Sequence, residues 1–170
     1  MKVVVAIDSL KGSLTSLEAG EAIQEGILRA ISDAEVIVRP LADGGEGTVE
    51  ALTRGMNGRY EKITVTDPLG RPTDAVYGIL EDLHTAIIEM SAAAGITLID
   101  AKDRNPMNTT TYGVGEMIKD AIGKGCRHFF IGIGGSATND GGVGMLQALG
   151  YDFLDKDGNQ IKHGAIGLKD

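Results

Sequence analysis

The stretch KVVVAI at residues 2–7 decides the fold, because a continuous run of β-branched and small apolar residues predicts a strand buried on both faces. The polar turn DSLKGS at residues 8–13 ends it, and apolar spacing then predicts a helix from Leu14 to Ile31. A second strand, EVIVR, follows at residues 35–39. This order predicts parallel strands whose carboxyl ends face the ligand site.

The sequence predicts both the N-terminal cap and the buried face of this helix. Thr15 or Ser16 is its expected N-terminal cap, with Glu18 in the first turn. Its expected buried face consists of Leu17, Ala22, Ile23, Ile27 and Ile31. A second helical stretch, from Thr48 to Thr53, continues the alternation of strands and helices.

The pattern changes after residue 58, where short turns between three predicted strands indicate an antiparallel meander. The strands are Arg59–Thr66, Thr73–Glu81 and Thr85–Met90. Beyond them we expect a helix at 110–122, a buried strand at 127–133, a helix at 143–150 and an Asp-Gly hairpin in YDFLDKDGNQI. The expected division is a Rossmann-like α/β portion at 1–58 and 92–150, a meander or second-lobe portion at 59–91, and a hairpin with the chain end at 151–170.

Composition narrows the function classes. The net charge of −8 disfavours nucleic acid and anionic lipid as partners, and no apolar run approaches the roughly 18 residues that span a bilayer. The N-terminus lacks a secretion signal, so a cytoplasmic location is expected. The single cysteine, Cys126, is interpreted as a buried structural residue, and the three histidines have no metal-site spacing.

Glycine is the compositional outlier, with 25 residues at about twice average usage. Many of these glycines lie in three loops that each follow a predicted strand and precede a predicted helix. The first loop, residues 8–13, places Asp8, Lys11 and Ser13 at a helix N-terminus, which favours an anion. An ordinary strand-to-helix turn with a capping serine is the alternative.

The second loop, residues 42–48, places Asp43 and Glu46 around Gly44 and Gly45, where no Cβ prevents a ligand from approaching. The two carboxylates could hold Mg²⁺ or accept a proton from a substrate hydroxyl. A solvated turn that enters a helix is the alternative.

The third loop, residues 132–142, is GIGGSATNDGG and is neither a Walker A loop nor a dinucleotide fingerprint. Its N–H and hydroxyl groups suit a phosphate, whereas Asn139 and Asp140 suit a substrate hydroxyl or a metal-bound water. A purely structural glycine-rich turn is the alternative. The expected phosphate ligands are Gly134, Gly135, Ser136 and Thr138.

Together the motifs DSLKGSLTS, PLADGGEGT and GIGGSATNDGG resemble those of the glycerate kinase family, whose members phosphorylate D-glycerate with ATP. The stretches TDPLGRP and NPMNTTTYGVGE are also similar, so the resemblance runs from residue 3 to about residue 150. It implies a two-lobed α/β enzyme with one Rossmann-like lobe, an active site in the cleft between lobes, and MgATP as donor. Members of the family continue well beyond residue 170, so the resemblance covers their N-terminal part and the fold is expected to be incomplete relative to theirs.

The resemblance also implies site residues. The hypothesis is that Asp43 or Asp140 orients or deprotonates the glycerate hydroxyl, Lys11 neutralises charge, and Glu46 helps to place Mg²⁺. The substrate- and phosphate-binding positions are Asp8, Ser13, Gly44, Gly45, Gly134, Gly135, Ser136, Thr138 and Asn139. Which loop holds glycerate and which holds ATP is left open.

The expected function is therefore ATP-dependent phosphorylation of D-glycerate within a longer enzyme, with 2-phosphoglycerate favoured over 3-phosphoglycerate as product. A non-catalytic fragment, or a module that binds an acidic metabolite or phosphate, is the alternative. The oligomeric state, including a homo-oligomer, is left open.

Overall fold

A computed structural model describes residues 1–10 and 13–169 of the chain. These residues form six strands and five α-helices, which alternate up to the second helix and are followed by three successive strands. The strands are β1 Lys2–Ile7, β2 Glu35–Pro40, β3 Arg59–Thr66, β4 Pro72–Leu80, β5 Thr85–Glu89 and β6 His128–Gly132. The helices are α1 Ser16–Ala30, α2 Thr48–Gly55, α3 Ser91–Ala94, α4 Tyr112–Gly123 and α5 Val143–Ala148.

The strands form two sheets. β1 and β2 pair in parallel, with Val5 opposite Val38. The second sheet has the order β3-β4-β5-β6, antiparallel from β3 to β5 and parallel between β5 and β6. The α/β class with parallel and antiparallel pairing is confirmed. Because β6 pairs with β5, one sheet joins the 59–91 meander to the segment after it, and the division into lobes stays a prediction.

Helices cover both faces of the four-stranded sheet. Successive side chains of a strand point to opposite faces, and the neighbouring residues Ile87 and Ile88 belong to different apolar clusters. Ile88 packs with Val114 and Met117 of α4, whereas Ile87 packs with Val49 of α2. The predicted apolar face of the 110–122 helix is buried as expected.

Helix α1 begins as expected but buries a different face. Thr15 caps it, since its hydroxyl accepts from Glu18 N while the Glu18 carboxylate accepts from Thr15 N. The expected apolar face is wrong: Ile23 and Ile31 are exposed, and the buried residues are Ser16, Ala19 and Gly20. The small residues allow the helix to lie close to β2, since a Cβ on Gly20 would stand 2.5 Å from Val38 Cγ1.

Two strands predicted to be buried on both faces are buried on one face only. In β1, Val5 is 8% exposed but Val4 is 59% exposed. In β6, Phe130 is 56% exposed beside its partner Ile87, because the apolar cluster that Ile87 forms with Val49 of α2 does not include Phe130. The prediction was wrong for these faces, because an apolar run does not reveal whether a neighbouring element covers each side.

The end of the chain forms a short hairpin-like turn. Leu154 and Gln160 make an antiparallel bridge, and Gly158 takes the left-handed conformation with φ 83°. The expected Asp-Gly turn is therefore present in a minimal form. Across residues 1–10 and 13–169, no helix has both the length and the apolar character that crossing a bilayer needs.

Candidate active site

The second and third loops meet through their backbones. Gly134 N donates to Gly44 O over 3.0 Å. A Cβ on Gly132 would lie 2.5 Å from Gly44 O, and a Cβ on Gly134 would lie 2.6 Å from Gly45 Cα. These glycines let two chain segments approach more closely than side chains would permit. The loops at the carboxyl ends of β2 and β6 therefore form one surface.

The first loop joins this surface across a small pocket. A pocket of about 190 Å³ is lined by Ser9 and Ser13 on one side and by Glu46 and Gly47 on the other. Asp8 Oδ1 accepts from Ser9 N over 2.7 Å, which fixes the turn after β1. Lys11, a predicted catalytic residue, lies outside the described residues. The pocket brings Ser13 and Glu46 together at one site.

The same pocket opens into a larger cleft. A space of about 630 Å³ shares Thr15, Glu46 and Gly47 with it and extends past Glu89 to Asp74 on the meander. One wall of the cleft is the N-terminal part of α2, and another is the exposed face of β4. The arrangement provides a cavity between the loops and the antiparallel strands that is large enough for a small ligand.

The second loop holds its carboxylates on a fixed turn. Gly44 and Gly47 both have φ 91°, a conformation that glycine adopts without strain. Asp43 Oδ1 accepts from Gly45 N over 3.0 Å, and Thr48 Oγ1 donates to Gly45 O over 2.8 Å. The turn then enters α2, so Glu46 lies at a helix N-terminus.

Glu89, the last residue of β5, is a candidate that the sequence reasoning missed. Its Oε1 accepts from Val49 N over 2.8 Å, and Gly47 N is a further donor. Burial raises the pKa of Glu89 above its ordinary value, the N–H groups of Val49 and Gly47 oppose this, and the charge of Glu46 adds to it. Glu89 ends an apolar strand at the carboxyl edge of the sheet, as Asp8 follows β1. That position in the sequence could have identified Glu89 as a candidate site residue.

The third loop is fixed on its other side by the segment after β5. Ile96 N donates to Gly135 O over 2.9 Å, and Ala137 N donates to Ala94 O over 2.8 Å. The hydroxyls of Ser136 and Thr138 lie 2.8 Å apart, and Thr138 N donates to Ser136 Oγ. The predicted phosphate ligands are thus presented on a rigid turn, while Asn139 is exposed to solvent.

Asp140 is placed differently from the other predicted catalytic residues. It is 1% exposed, and its carboxylate accepts from Thr111 N, Gly142 N and Gly144 N at 2.8 to 3.2 Å. Thr111 Oγ1 donates to it as well and accepts from Met145 N. The carboxylate therefore ties the start of α4 to the start of α5, and the geometry favours a positioning role.

The carboxylates that line the larger cleft are the candidate ligands for a metal ion. Among the residues that the structure describes, no group of three or more His, Cys, Asp and Glu side chains could hold an ion. Glu46 and Glu89 both line the larger cleft. Since proteins often bind Mg²⁺ through one or two carboxylates and the phosphates of a substrate, these residues fit an ion that arrives with a nucleotide.

Comparison with known proteins assigns the fold and motifs to a family. The model of the glycerate kinase family matches residues 3–170. A glycerate kinase of Bacillus subtilis is 50% identical over 99% of this chain and 44% of its own length, and the glycerate 2-kinase of Escherichia coli is 48% identical with the same coverage. A Salmonella typhimurium LT2 crystal structure, provisionally assigned as glycerate kinase 2, superposes with a TM-score of 0.90 at 49% identity over 99% of this chain and 45% of that one. The chain spans less than half the length of these relatives. It belongs to the glycerate kinase family.

Proposed function

We propose that the chain supplies the acceptor- and phosphate-binding part of an enzyme that transfers the γ-phosphoryl group of ATP to D-glycerate. The observation that carries the proposal is the meeting of the three loops at the carboxyl ends of the strands. Gly134 is hydrogen-bonded to Gly44, and Ser13 and Glu46 line the same pocket. Phosphoryl transfer needs positioning and neutralisation of charge more than covalent chemistry, and such loops provide both. The named activity of the Bacillus subtilis relative supports this choice of substrate.

The second loop is the proposed place of proton removal. Asp43 would orient or deprotonate the acceptor hydroxyl, because its turn is held by Gly45 N and the loop backbone leaves room for a ligand. Lys11 of the first loop would neutralise carboxylate or phosphate charge. The backbone N–H groups of Gly135 and Ser136 would cradle the transferred phosphoryl group, because those of Gly134, Ala137 and Thr138 donate to acceptors within the protein.

Magnesium is proposed to be held by Glu46, with the nucleotide phosphates providing the other ligands. When bound, the ion neutralises charge on the β- and γ-phosphoryl oxygens. Glu89 lines the same cleft and holds the N-terminus of α2 through Val49 N, so it would keep Glu46 in place. Asp140 would act by fixing the third loop.

We propose 2-phosphoglycerate as the product, favoured over 3-phosphoglycerate because the Escherichia coli relative is a glycerate 2-kinase. A module that binds glycerate or phosphate without turnover is the alternative, because hydroxyl groups such as those of Ser136 and Thr138 can hold an anion whether or not transfer follows. A chimera in which this chain replaces the matching segment of the Bacillus subtilis relative tests the activity of these loops in a full-length context.

The test measures ATP consumption with D-glycerate and identifies the product by phosphorus NMR. We expect turnover in the chimera and a loss in kcat of about 10²- to 10⁴-fold on Asp43→Asn, the range for a missing general base. Asp33→Asn, an exposed acid between α1 and β2, is the matched control and should keep kcat. Asp43→Asn with normal kcat would contradict the proposed role.

Binding without turnover is measured on the chain itself. Ligand at about 100 times its Kd should raise the free energy of unfolding by about 2.7 kcal/mol. A shift with D-glycerate together with an inactive chimera would favour the binding module over the enzyme.

A further inference from the structure

A second pocket lies beside the third loop. It has a volume of about 280 Å³ and is lined by Arg104 and Asn105 on one side and by Ser136 and Thr138 on the other. Ile96 and Ile99 form its apolar part. The third loop thus contacts the second loop at Gly134 and this pocket at Ser136 and Thr138.

Arg104 brings a cation to this pocket. Its Nε donates to Ile99 O over 3.4 Å, and its guanidinium forms no ion pair with any residue that the structure describes. Its basic neighbours differ, because Arg71 is paired with Asp67 and Lys102 with Asp100. In a chain with a net charge of −8, an unpaired guanidinium beside hydroxyl groups favours an anionic ligand.

The hydroxyl groups opposite Arg104 are held rigidly. Ala137, between Ser136 and Thr138, is fixed at both backbone groups: its N–H donates to Ala94 O, and its carbonyl accepts from Thr109 Oγ1 over 2.8 Å. Thr109 is fully buried. Rigid support of this kind fixes the hydroxyls before a ligand binds.

We propose that Arg104, with the Ser136 and Thr138 hydroxyls, binds the carboxylate of the acceptor hydroxy acid. The volume of the pocket, about 280 Å³, is just below the roughly 300 Å³ at which pockets for drug-sized ligands begin. This volume suits a three-carbon acid better than a whole nucleotide. Arginine binds a carboxylate through two parallel hydrogen bonds, and this fixes the orientation of the acid. The inference rests on the proposed function, since it names the residue that recognises its acceptor.

Amide NMR of the 170-residue chain tests the proposal without requiring turnover. Titration with D-glycerate should shift the Thr138 amide resonance, whereas glycerol, which lacks the carboxylate, should leave it unchanged at the same concentration. Arg104→Gln should weaken the apparent affinity for glycerate by about 10- to 100-fold, the range for losing hydrogen bonds to a charged group. Arg104→Lys should retain part of the affinity, because it keeps the charge without the paired donors.

Lys102→Gln is the matched control, because Lys102 is exposed, two residues from Arg104, and does not line the pocket. No shift in the wild-type chain, an equal response to glycerol, or equal affinities for Arg104→Gln and Lys102→Gln would overturn the proposal. A shift with ATP or inorganic phosphate but not with glycerate would also overturn it and would assign the pocket to phosphate.

Activity separates this proposal from the proposed function. A chimera that phosphorylates glycerate with an unchanged KM for glycerate after Arg104→Gln would refute the pocket and leave the function. The opposite outcome is an inactive chimera together with glycerate binding to the 170-residue chain that depends on Arg104. It would refute the proposed function and retain the proposed role of Arg104.

Discussion

At the scale of single residues, a measurement of stability distinguishes a positioning role for Asp140 from a role as catalytic base. Asp140→Asn would place an amide NH₂ against backbone N–H donors from Thr111, Gly142 and Gly144. Because a buried group would lose its hydrogen bonds, we expect the free energy of unfolding to fall by about 2–4 kcal/mol. Urea denaturation of the chain measures this, with Asp33→Asn as the exposed control. An unchanged midpoint would contradict the positioning role.

Glu89 gives a prediction about pH. Its folded-state pKa is raised above the ordinary value of 4.5, so the folded chain binds this proton more tightly than the unfolded chain does. The stability that the protonated carboxyl contributes is fully present below about pH 4.5 and is lost as the pH rises through the folded-state pKa. Glu89→Gln keeps an oxygen that can accept from Val49 N but cannot ionise. The stability of this variant relative to wild type should therefore increase between about pH 4 and about pH 7.

Thermal unfolding of both proteins across this pH range checks the prediction. The exposed Glu25→Gln, on α1, is the control for a change in net charge. The stability of Glu89→Gln relative to wild type could instead stay constant or fall as the pH rises. Either result would show that burial does not dominate the pKa of Glu89.

At the scale of elements, the contact between the second and third loops depends on glycine. Gly134→Ala would place a Cβ 2.6 Å from Gly45 Cα, so the two backbones would have to separate. We expect a loss of about 1–3 kcal/mol in the free energy of unfolding, as for overpacking, and a loss of activity in the chimera. Gly26→Ala is the matched control, because a Cβ there meets nothing within 4 Å in helix α1 and should stabilise the chain by about 0.5–1 kcal/mol. Equal stabilities for the two variants would contradict the contact.

The elements themselves were largely readable from periodicity. The bounds of β3 match the prediction, and α4 buries the face that its apolar spacing indicated. The buried face of α1 was not readable, because Ser16, Ala19 and Gly20 carry little hydrophobic signal and are buried for their small size. Arg104 was not predicted as a site residue, because the pocket that it lines is formed with Ser136, which is far away in sequence.

At the scale of the whole molecule, two apolar faces have no covering element in the described part of the chain. Val4 of β1 is on one of them, and Phe130 of β6 is on the other. Exposed apolar patches on a folded chain usually mark a surface that packs against something. The relatives are more than twice as long as this chain, so the remaining part of such a relative can supply the cover in a chimera.

Phe130→Lys distinguishes a covered face from an exposed one. In the 170-residue chain the side chain is already open to solvent, so the substitution should change the free energy of unfolding by no more than about 0.5 kcal/mol and reduce binding of an apolar dye. In the chimera, a covered lysine would lose its hydration without a partner, and we expect a loss of stability of about 2 kcal/mol or more. Leu83→Lys, at a similarly exposed residue in the turn between β4 and β5, is the control and should behave alike in both proteins. If Phe130→Lys is also neutral in the chimera, the face stays open in the longer protein, and the apolar run of β6 must then be explained by packing on its Ile131 side alone.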